Sequence, residues 1–494
     1  MTLQYEEKKM STTNLTLLTD LYELTMMQGY FHNNSNEPVI FDLFYRNNPS
    51  RGGYAITAGL DQVLDYIKNL SFSTGDIDYL RSLDLFAEDF LSYLKDFKFT
   101  GDIYAIPEGT VVFPKEPLLK IIAPIMEAQL IETALLTIIN HQSLIATKAS
   151  RVVHTAQGDG VLEFGLRRAQ GPDAGVYGAR AAVIGGCAGT SNVLAGKLFD
   201  IPVRGTHAHS WIMSFPDEYT AFKKYASLYP KSCILLVDTY DTLKSGVPNA
   251  IKVFAELKEA GLLQASYGIR LDSGDLAYLS KQARKMLDRA GMEDAIISAS
   301  SDLDEYLIDS LKAQGSKITS WGVGTNLITS SDCPAFGGVY KLAAIKYNEN
   351  DGFVPKIKLS ENTDKITNPG NKTIYRIYEK STGKIKADLI SLVDEVFDEN
   401  EPMILFDPIE TWKRTKLNGG TYTMRELLVP IFLKGKCVYN SPKAMEIQEY
   451  CTNELNTLWD ETRRLVNPHK VYVDLSEKLY KIKSELLAQM SMQS

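Results

Sequence analysis

Cysteine is scarce in this chain. Its 494 residues hold five (Cys187, Cys233, Cys333, Cys437 and Cys451), odd in number, far apart and without a C-x-x-C pair. That excludes a thiol zinc framework and a disulfide scaffold, and it suits a reducing, cytoplasmic setting. No dense lysine and arginine run interleaved with aromatics occurs, and the net charge is −8. General affinity for nucleic acid or an anionic membrane is therefore not expected. The opening "MTLQYEEKKMSTTN" has no apolar core after its lysines, so no signal peptide is expected there. Uninterrupted hydrophobic runs are also missing. "LLKIIAPIMEAQLIETALLTII" (118–139) has the length of a membrane span, but Lys120, Pro124, Glu127 and Glu132 interrupt it. It reads as a buried or dimer-facing pair of helices, headed by an extended run at 118–124. Neither a G-x-x-x-x-G-K-[ST] loop nor a strand-led G-x-G-x-x-G fingerprint is present, which removes the commonest nucleotide-binding motifs.

Hydrophobic content of 44% over this length is enough for a large core, divided among two or three domains. The clearest organisation lies between about 160 and 345. Short apolar runs at 161–165, 201–205, 233–237, 267–271, 295–299 and 318–324 alternate with amphipathic segments such as "VPNAIKVFAELKEAG" and "LAYLSKQARKMLDRAG". The last two end at Gly261 and Gly291, which act as helix stops. Strands separated by crossover helices make a parallel sheet, open or closed into a βα-barrel. Residues 1–150 mix helices with extended runs. Residues 346–435 look β-rich, with a hairpin turning at Ser381–Gly383, and 442–490 look helical. The reading is thus an α/β protein in three segments, 1–150, 151–345 and 346–494, with an incomplete or irregular barrel in the middle.

In such sheets the chemistry lies beyond the carboxyl ends of the strands. Those positions hold Arg167 and Arg168; Thr206, His207, His209 and Ser210; Asp238 and Asp241; Arg270, Asp272, Ser273, Gly274 and Asp275; Ser300, Ser301 and Asp302; and Gly322, Gly324 and Thr325. Loops are polar in any protein, and much of this set can be turn chemistry. Arginines and glycines on several strand ends nonetheless point to phosphate recognition. In "RLDSGD" (270–275), Asp272 or Ser273 is expected to cap the helix starting near Leu276.

Two of the chain's six histidines stand in "GTHAHSW" (205–211). A strand-end H-x-H can be a metal site, since alternate strand residues point the same way. A barrel hydrolase using His207 and His209 would need further ligands, yet His32, His141, His154 and His469 follow none of the later strands. A histidine here can instead be a nucleophile, or simply a hydrogen-bonded structural ring.

The blocks "LTDLYELTMMQGYF" (18–31), "FDLFYRNNPSRGGYAITAGL", "EFGLRRAQGPDAG", "GTHAHSW", "RLDSGDL", "GVGT", "GGVYKLAAI" and "PKIKLSENTDKITNPGNK" follow one another from Leu18 to Lys372. In kind and order they resemble the nicotinate phosphoribosyltransferases. The resemblance implies a type II phosphoribosyltransferase: a βα-barrel with an accompanying α/β domain, and homodimers that build each site from two subunits. It implies the reaction of nicotinate with phosphoribosyl pyrophosphate to nicotinate mononucleotide and pyrophosphate, coupled to hydrolysis of the co-substrate ATP and assisted by Mg2+, in NAD salvage.

By the same resemblance His209 matches a transiently phosphorylated histidine, whereas His207 falls where the family varies. Thr206 and Arg270 match nicotinate contacts, and Arg167 an arginine near the base and phosphates. Tyr22 matches an aromatic residue from the neighbouring subunit that stacks on the pyridine ring. Thr325, with Gly322 and Gly324, matches a phosphate-cradling turn, to which Ser301 and Asp272 are added. Asp238 and Asp272 are the candidates for ribose hydroxyls or Mg2+. Related nicotinamide enzymes carry an Asp where this chain has Ser191 after Gly189 and Thr190. An Asp repels a carboxylate, so serine favours the acid over the amide as substrate.

Overall fold

The computed structural model describes residues 14–263, 266–348, 350–360 and 365–491. Residues 1–13, read above as lacking a signal peptide, and 361–364 of the "PKIKLSENTDKITNPGNK" block lie outside the described residues. The contacts gather the chain into two compact units. One is Lys148–Pro334, and the other joins the residues up to Thr147 with those from Ala335 onward.

The Lys148–Pro334 unit is built on six parallel strands. Their order is Gly189–Thr190, Gly160–Glu163, Ser320–Val323, Ile296–Ala299, Tyr267–Leu271 and Cys233–Leu236. Five of the six runs singled out in the sequence are strands. The sixth, 201–205, is reduced to one bridge between Val203 and Thr190, because Pro202 has no N–H to donate and its partner strand is only two residues long. The crossover helices Val247–Glu259 and Leu276–Arg289 turn one face inward, burying Val247, Ala250, Val253, Phe254 and Leu257 in the first and Leu276, Ala277, Ser280, Ala283 and Leu287 in the second. Both stop where expected, Gly261 and Gly291 taking the left-handed φ of +66° and +70° that favours glycine.

Counting the Val203 bridge, the strands follow chain order around a curled half-barrel, and the ladder is missing only between Val203 and Cys233–Leu236. At this seam a side chain replaces a strand. The Leu236 N–H donates to Nε2 of His207 (3.3 Å), whose ring packs on Tyr225 at 4.6 Å between centroids. His207 is 8% exposed. Burial, with Arg270 and His209 adding repulsion, pushes its imidazole down to about 4, so the ring is a neutral acceptor.

In the other unit seven strands run in the order Val354–Pro355, Gly338–Ile345, Pro38–Tyr45, Leu119–Pro124, Asp102–Ala105, Val429–Leu433 and Lys436–Cys437. Gly338–Ile345, counted with the barrel segment from sequence, pairs here with Pro38–Tyr45. The apolar stretch at 118–139 is a strand, Leu119–Pro124, then the helices Ile125–Leu130 and Glu132–Ala156, so the expected helix pair begins only after Pro124. No helix among the described residues is long and apolar enough to cross a membrane. The hairpin Lys372–Glu379 and Ile385–Leu392 turns at Gly383 (φ +69°). The region expected to be helical after 442 also contains a strand, Tyr472–Leu475, parallel to Ile385–Leu392; four residues are too few to show a period. Within this hairpin Arg376, fully buried, is held by its cross-strand partner Asp388 (2.6 Å) and by Glu454 (3.2 Å). Such a pairing is costly to break and fixes the packing.

The seam makes a pH prediction. His207 titrates near 6.5 when unfolded and near 4 when folded. Its contribution to stability is full above 6.5 and is lost as pH falls toward 4, on the order of 3 kcal/mol in all. His207→Gln keeps an acceptor for Leu236 but cannot be protonated. Thermal melting between pH 7.5 and 5 should fall less in the variant than in the parent. Parallel losses would reject the neutral histidine.

Candidate active site

Strand ends of the Lys148–Pro334 unit surround a cleft of about 550 Å3, within the size range of small-molecule sites. Arg167, Thr206, Arg270, Asp272, Ser301, Gly322, Gly324 and Thr325, all singled out in the sequence, line it together with Arg168, Ser191 and Ser300.

Arg270 is the hub. It is the penultimate residue of the Tyr267–Leu271 strand and its side chain is 16% exposed. Nε donates to the Ser300 hydroxyl (3.0 Å), Nη1 to Thr206 Oγ1 and to the His207 carbonyl (3.4 Å), and Nη2 to Asp272 Oδ1 (3.4 Å). Ser300 donates in turn to Asp272 Oδ1. Burial would raise the Asp272 carboxyl, but the Ser300 hydroxyl, Arg270 and His209 outweigh it and hold it below its ordinary value. Asp272 is therefore a carboxylate at neutral pH.

Asp238 lies behind this pair. Its Oδ2 accepts from the Asp272 N–H and the Ser273 hydroxyl, both at 2.8 Å, while Oδ1 is buried with no hydrogen-bond partner among the described residues. The expected cap of helix Leu276–Arg289 is corrected. Asp275, not Asp272 or Ser273, accepts from the Tyr278 N–H (2.9 Å), because Gly274 at φ +81° turns the chain before the helix begins. Asp241, another strand-end candidate, is also a cap, accepting from the Leu243 and Lys244 N–H groups.

His209 stands beside the cleft rather than in its lining. The chain leaves the sheet at Val203, and His209 opens the short helix His209–Met213, so strand alternation does not apply to the H-x-H pair. Nδ1 of His209 is 3.0 Å from the Thr239 hydroxyl, Nε2 is 3.7 Å from Asp272 Oδ2, and the side chain is 39% exposed. His207 is buried in the seam. The two rings are in different surroundings, and no group of three or more His, Cys, Asp or Glu placed to hold a metal occurs among the described residues. The hydrolase alternative loses its ligand set.

Another part of the lining brings backbone close, at Gly322 and Gly324. Gly322 packs so close to Phe164 that a Cβ would come within 2.6 Å of its ring, and one on Gly165 would come within 2.5 Å of Ile328 and 2.8 Å of the Gly324 carbonyl. Only glycine permits this contact between the two loops. Ser301 takes φ +122°, a conformation costly for a residue with a Cβ and typical of functional loops. Arg167 and Arg168 project from the short turn Leu166–Arg168, exposed and without an ion pair among the described residues. Tyr22 belongs to the other unit, on helix Leu21–His32, where it is 45% exposed. Burial and the nearby Glu132, Glu23 and Asp20 raise its hydroxyl pKa.

Sequence reasoning missed Thr239, the partner of His209, and Glu163, buried beneath the arginine turn. Thr239 stands next to Asp238 at a strand end and was visible there. Glu163 is the last residue of its strand, and the search of strand ends began beyond it.

Comparison with known proteins agrees with this geometry. The nicotinate phosphoribosyltransferase N-terminal domain matches residues 17–140, the family's central model 160–373 and its C-terminal domain 371–483. The Bacillus subtilis (strain 168) nicotinate phosphoribosyltransferase is 48% identical over 475 residues, 96% of this chain and 95% of its own length. The human nicotinate phosphoribosyltransferase is 31% identical over 530 residues, 96% of each chain. The crystal structure of human nicotinic acid phosphoribosyltransferase superposes with a TM-score of 0.81 at 29% identity, covering 95% of this chain and 100% of that one. With family models spanning most of its length and close relatives matched end to end, the chain belongs to the nicotinate phosphoribosyltransferase family.

Proposed function

We propose that this protein transfers the phosphoribosyl group of phosphoribosyl pyrophosphate to nicotinate in NAD salvage, with the transfer coupled to ATP through phosphorylation of His209. The observation that carries the reading is that Arg270, Asp272 and Thr206 line one cleft together with the glycine turn at 322–324, with His209 beside Asp272 at its edge.

Attack of the pyridine nitrogen on the ribose carbon breaks the bond to pyrophosphate. Positive charge develops on the sugar and negative charge on the leaving group. Arg270 and Arg167 can pair with the planar carboxylate of nicotinate. The backbone at Gly322 and Gly324, with Thr325 and Ser301, suits phosphate oxygens. Asp272, ionised and beside Arg270, suits the sugar side of the transition state. Asp238 and Asp272 fit Mg2+ as the one or two carboxylates it needs, with phosphates and water completing its shell; Asp238 Oδ1 is a buried acceptor still free to serve. Mg2+ held there would neutralise the departing pyrophosphate. In the coupled step a ring nitrogen of His209 forms a bond to the γ-phosphorus of ATP, ADP leaves, and water later removes the phosphoryl group. A charge added beside the pyrophosphate pocket changes the affinity for substrates and products unequally, which is what coupling requires. Tyr22 would come from a second copy in a homodimer and stack on the pyridine.

Product analysis with nicotinate, phosphoribosyl pyrophosphate, Mg2+ and ATP, run beside nicotinamide, tests the reading directly. Nicotinate mononucleotide should form and the amide should be a poor substrate; preference for the amide would overturn the assignment of Ser191. His209→Ala should lose substrate-stimulated ATP hydrolysis and keep uncoupled transfer. Intact coupling in that variant would remove the phosphohistidine. For the shared site, Tyr22→Ala and Arg270→Ala should each lower kcat/KM, the arginine change by about 10²-fold or more. Mixed subunits should recover about a quarter of parental activity, from the one intact site of each heterodimer. Heterodimers formed without recovery would reject shared sites.

A further inference from the structure

We infer that Glu163 is a positioning residue of this cleft: it clips the turn carrying Arg167 and Arg168 to the loop carrying Ser191, and so sets the preference for an anionic ring substrate. The inference rests on the function proposed above and extends it to a residue that touches no substrate.

Glu163 closes the Gly160–Glu163 strand and is 0% exposed. One carboxylate oxygen accepts the Gly165 N–H, two residues before Arg167. The other accepts the Thr190 hydroxyl at 2.6 Å. Thr190 Oγ1 in turn accepts the Asn192 N–H (3.0 Å), and the Glu163 carbonyl accepts the Ser191 N–H (3.0 Å). Ser191 is thus held from both sides by bonds that lead back to Glu163. The clip reaches a third strand end, since Gly165 lies against Ile328 and the Gly324 carbonyl. One buried side chain therefore ties Gly165, two residues before the first of the cleft's two free arginines, to Thr190, next to the residue that separates acid from amide, while the Ser191 N–H bond is a main-chain bond that any residue at 163 would make.

A role in packing alone does not account for this residue. No cation pairs with Glu163 among the described residues, and burial raises its carboxyl pKa against the pull of Thr190 and Gly165. A buried carboxylate without a counter-charge is costly, and an apolar side chain would fill the space at lower cost. What an apolar residue cannot do is accept two N–H or O–H bonds from two different strand ends at once.

The test compares nicotinate and nicotinamide as substrates in the parent, Glu163→Ala, Thr190→Val and Glu163→Gln. Glu163→Ala should raise KM for nicotinate and lower the acid-to-amide ratio of kcat/KM, each by roughly tenfold to a hundredfold. Thr190→Val cuts one arm at nearly constant volume and should give a partial loss. Glu163→Gln should restore most of the ratio, because its carbonyl can take the Gly165 N–H while its NH2 donates to the Thr190 oxygen. A general loss of stability would not move the ratio or be rescued by glutamine. Parental ratios in folded Glu163→Ala and Thr190→Val would overturn the inference. Should Glu163→Ala fail to fold, Thr190→Val decides it. If the parent transfers phosphoribosyl to neither compound, the functional reading fails instead. The clip is then read by amide exchange at Gly165, which must be faster in Glu163→Ala and Thr190→Val than in Glu163→Gln; equal rates would overturn it.

Discussion

A guanidinium placed at the end of a buried parallel strand must find acceptors, because unpaired it would cost several kcal/mol. Arg270 finds them on three neighbouring segments: Ser300 after one strand, Asp272 after its own, and Thr206 with the His207 carbonyl on the segment that leaves the sheet. Meeting the needs of one cation therefore sets the relative height of three strand ends. It also keeps Asp272 ionised, which sets the charge seen by His209. The partners of Arg270 occupy most but not all of its five N–H groups, so capacity remains for a ligand acceptor. The whole floor of the cleft depends on this one arrangement.

The two histidines show how local backbone decides chemistry. Had the segment at 201–205 remained a strand through residue 209, alternation would have turned both rings the same way. The pairing stops after the Arg204 N–H bond to Thr190 instead, because the partner strand ends at Thr190. The chain crosses the gap in the half-barrel, and His207 completes the hydrogen bonding of Leu236, a task that requires a neutral ring and excludes it from acid–base work. His209 emerges on the far side of the crossing, half exposed, with Thr239 and Asp272 about it. An imperfect barrel thus yields one structural and one available imidazole from two residues of the same type.

Much of the parallel sheet was legible because its strands are continuous apolar runs, its helices are amphipathic, and Gly261 and Gly291 mark their ends. The strand-end rule then groups most of the residues that line the cleft. What sequence could not supply were features set by distance along the chain. Gly338–Ile345 pairs with Pro38–Tyr45 some three hundred residues away, and no local pattern announces that. Tyr472–Leu475 is too short to have a period. The cap fell on Asp275 because Gly274 adopts a left-handed turn, a conformation that the letters D-S-G-D permit at more than one register. Glu163 was overlooked because it is the last residue inside its strand, whereas the strand-end rule looks to the residues beyond.

The proximity of His209 and Asp272 also limits how a phosphoryl group could be accommodated. Placed on His209, it would set one to two negative charges within a few ångströms of a carboxylate 3.7 Å from the ring. At about 4 Å and an effective dielectric of about 20, each such pair costs about 4 kcal/mol. Without the phosphoryl group Asp272 is held below its ordinary carboxyl range, and a repulsion of that size is equivalent to about three pKa units toward protonation. Short of that proton, either a cation must enter, or Arg270 must turn more of its charge toward the pair. The first remedy acts on the cation that would hold pyrophosphate, the second on the arginine that would pair with nicotinate. The state of His209 and the affinity for the phosphorylated substrate are then linked through one shared carboxylate, without any need for a large movement of the fold.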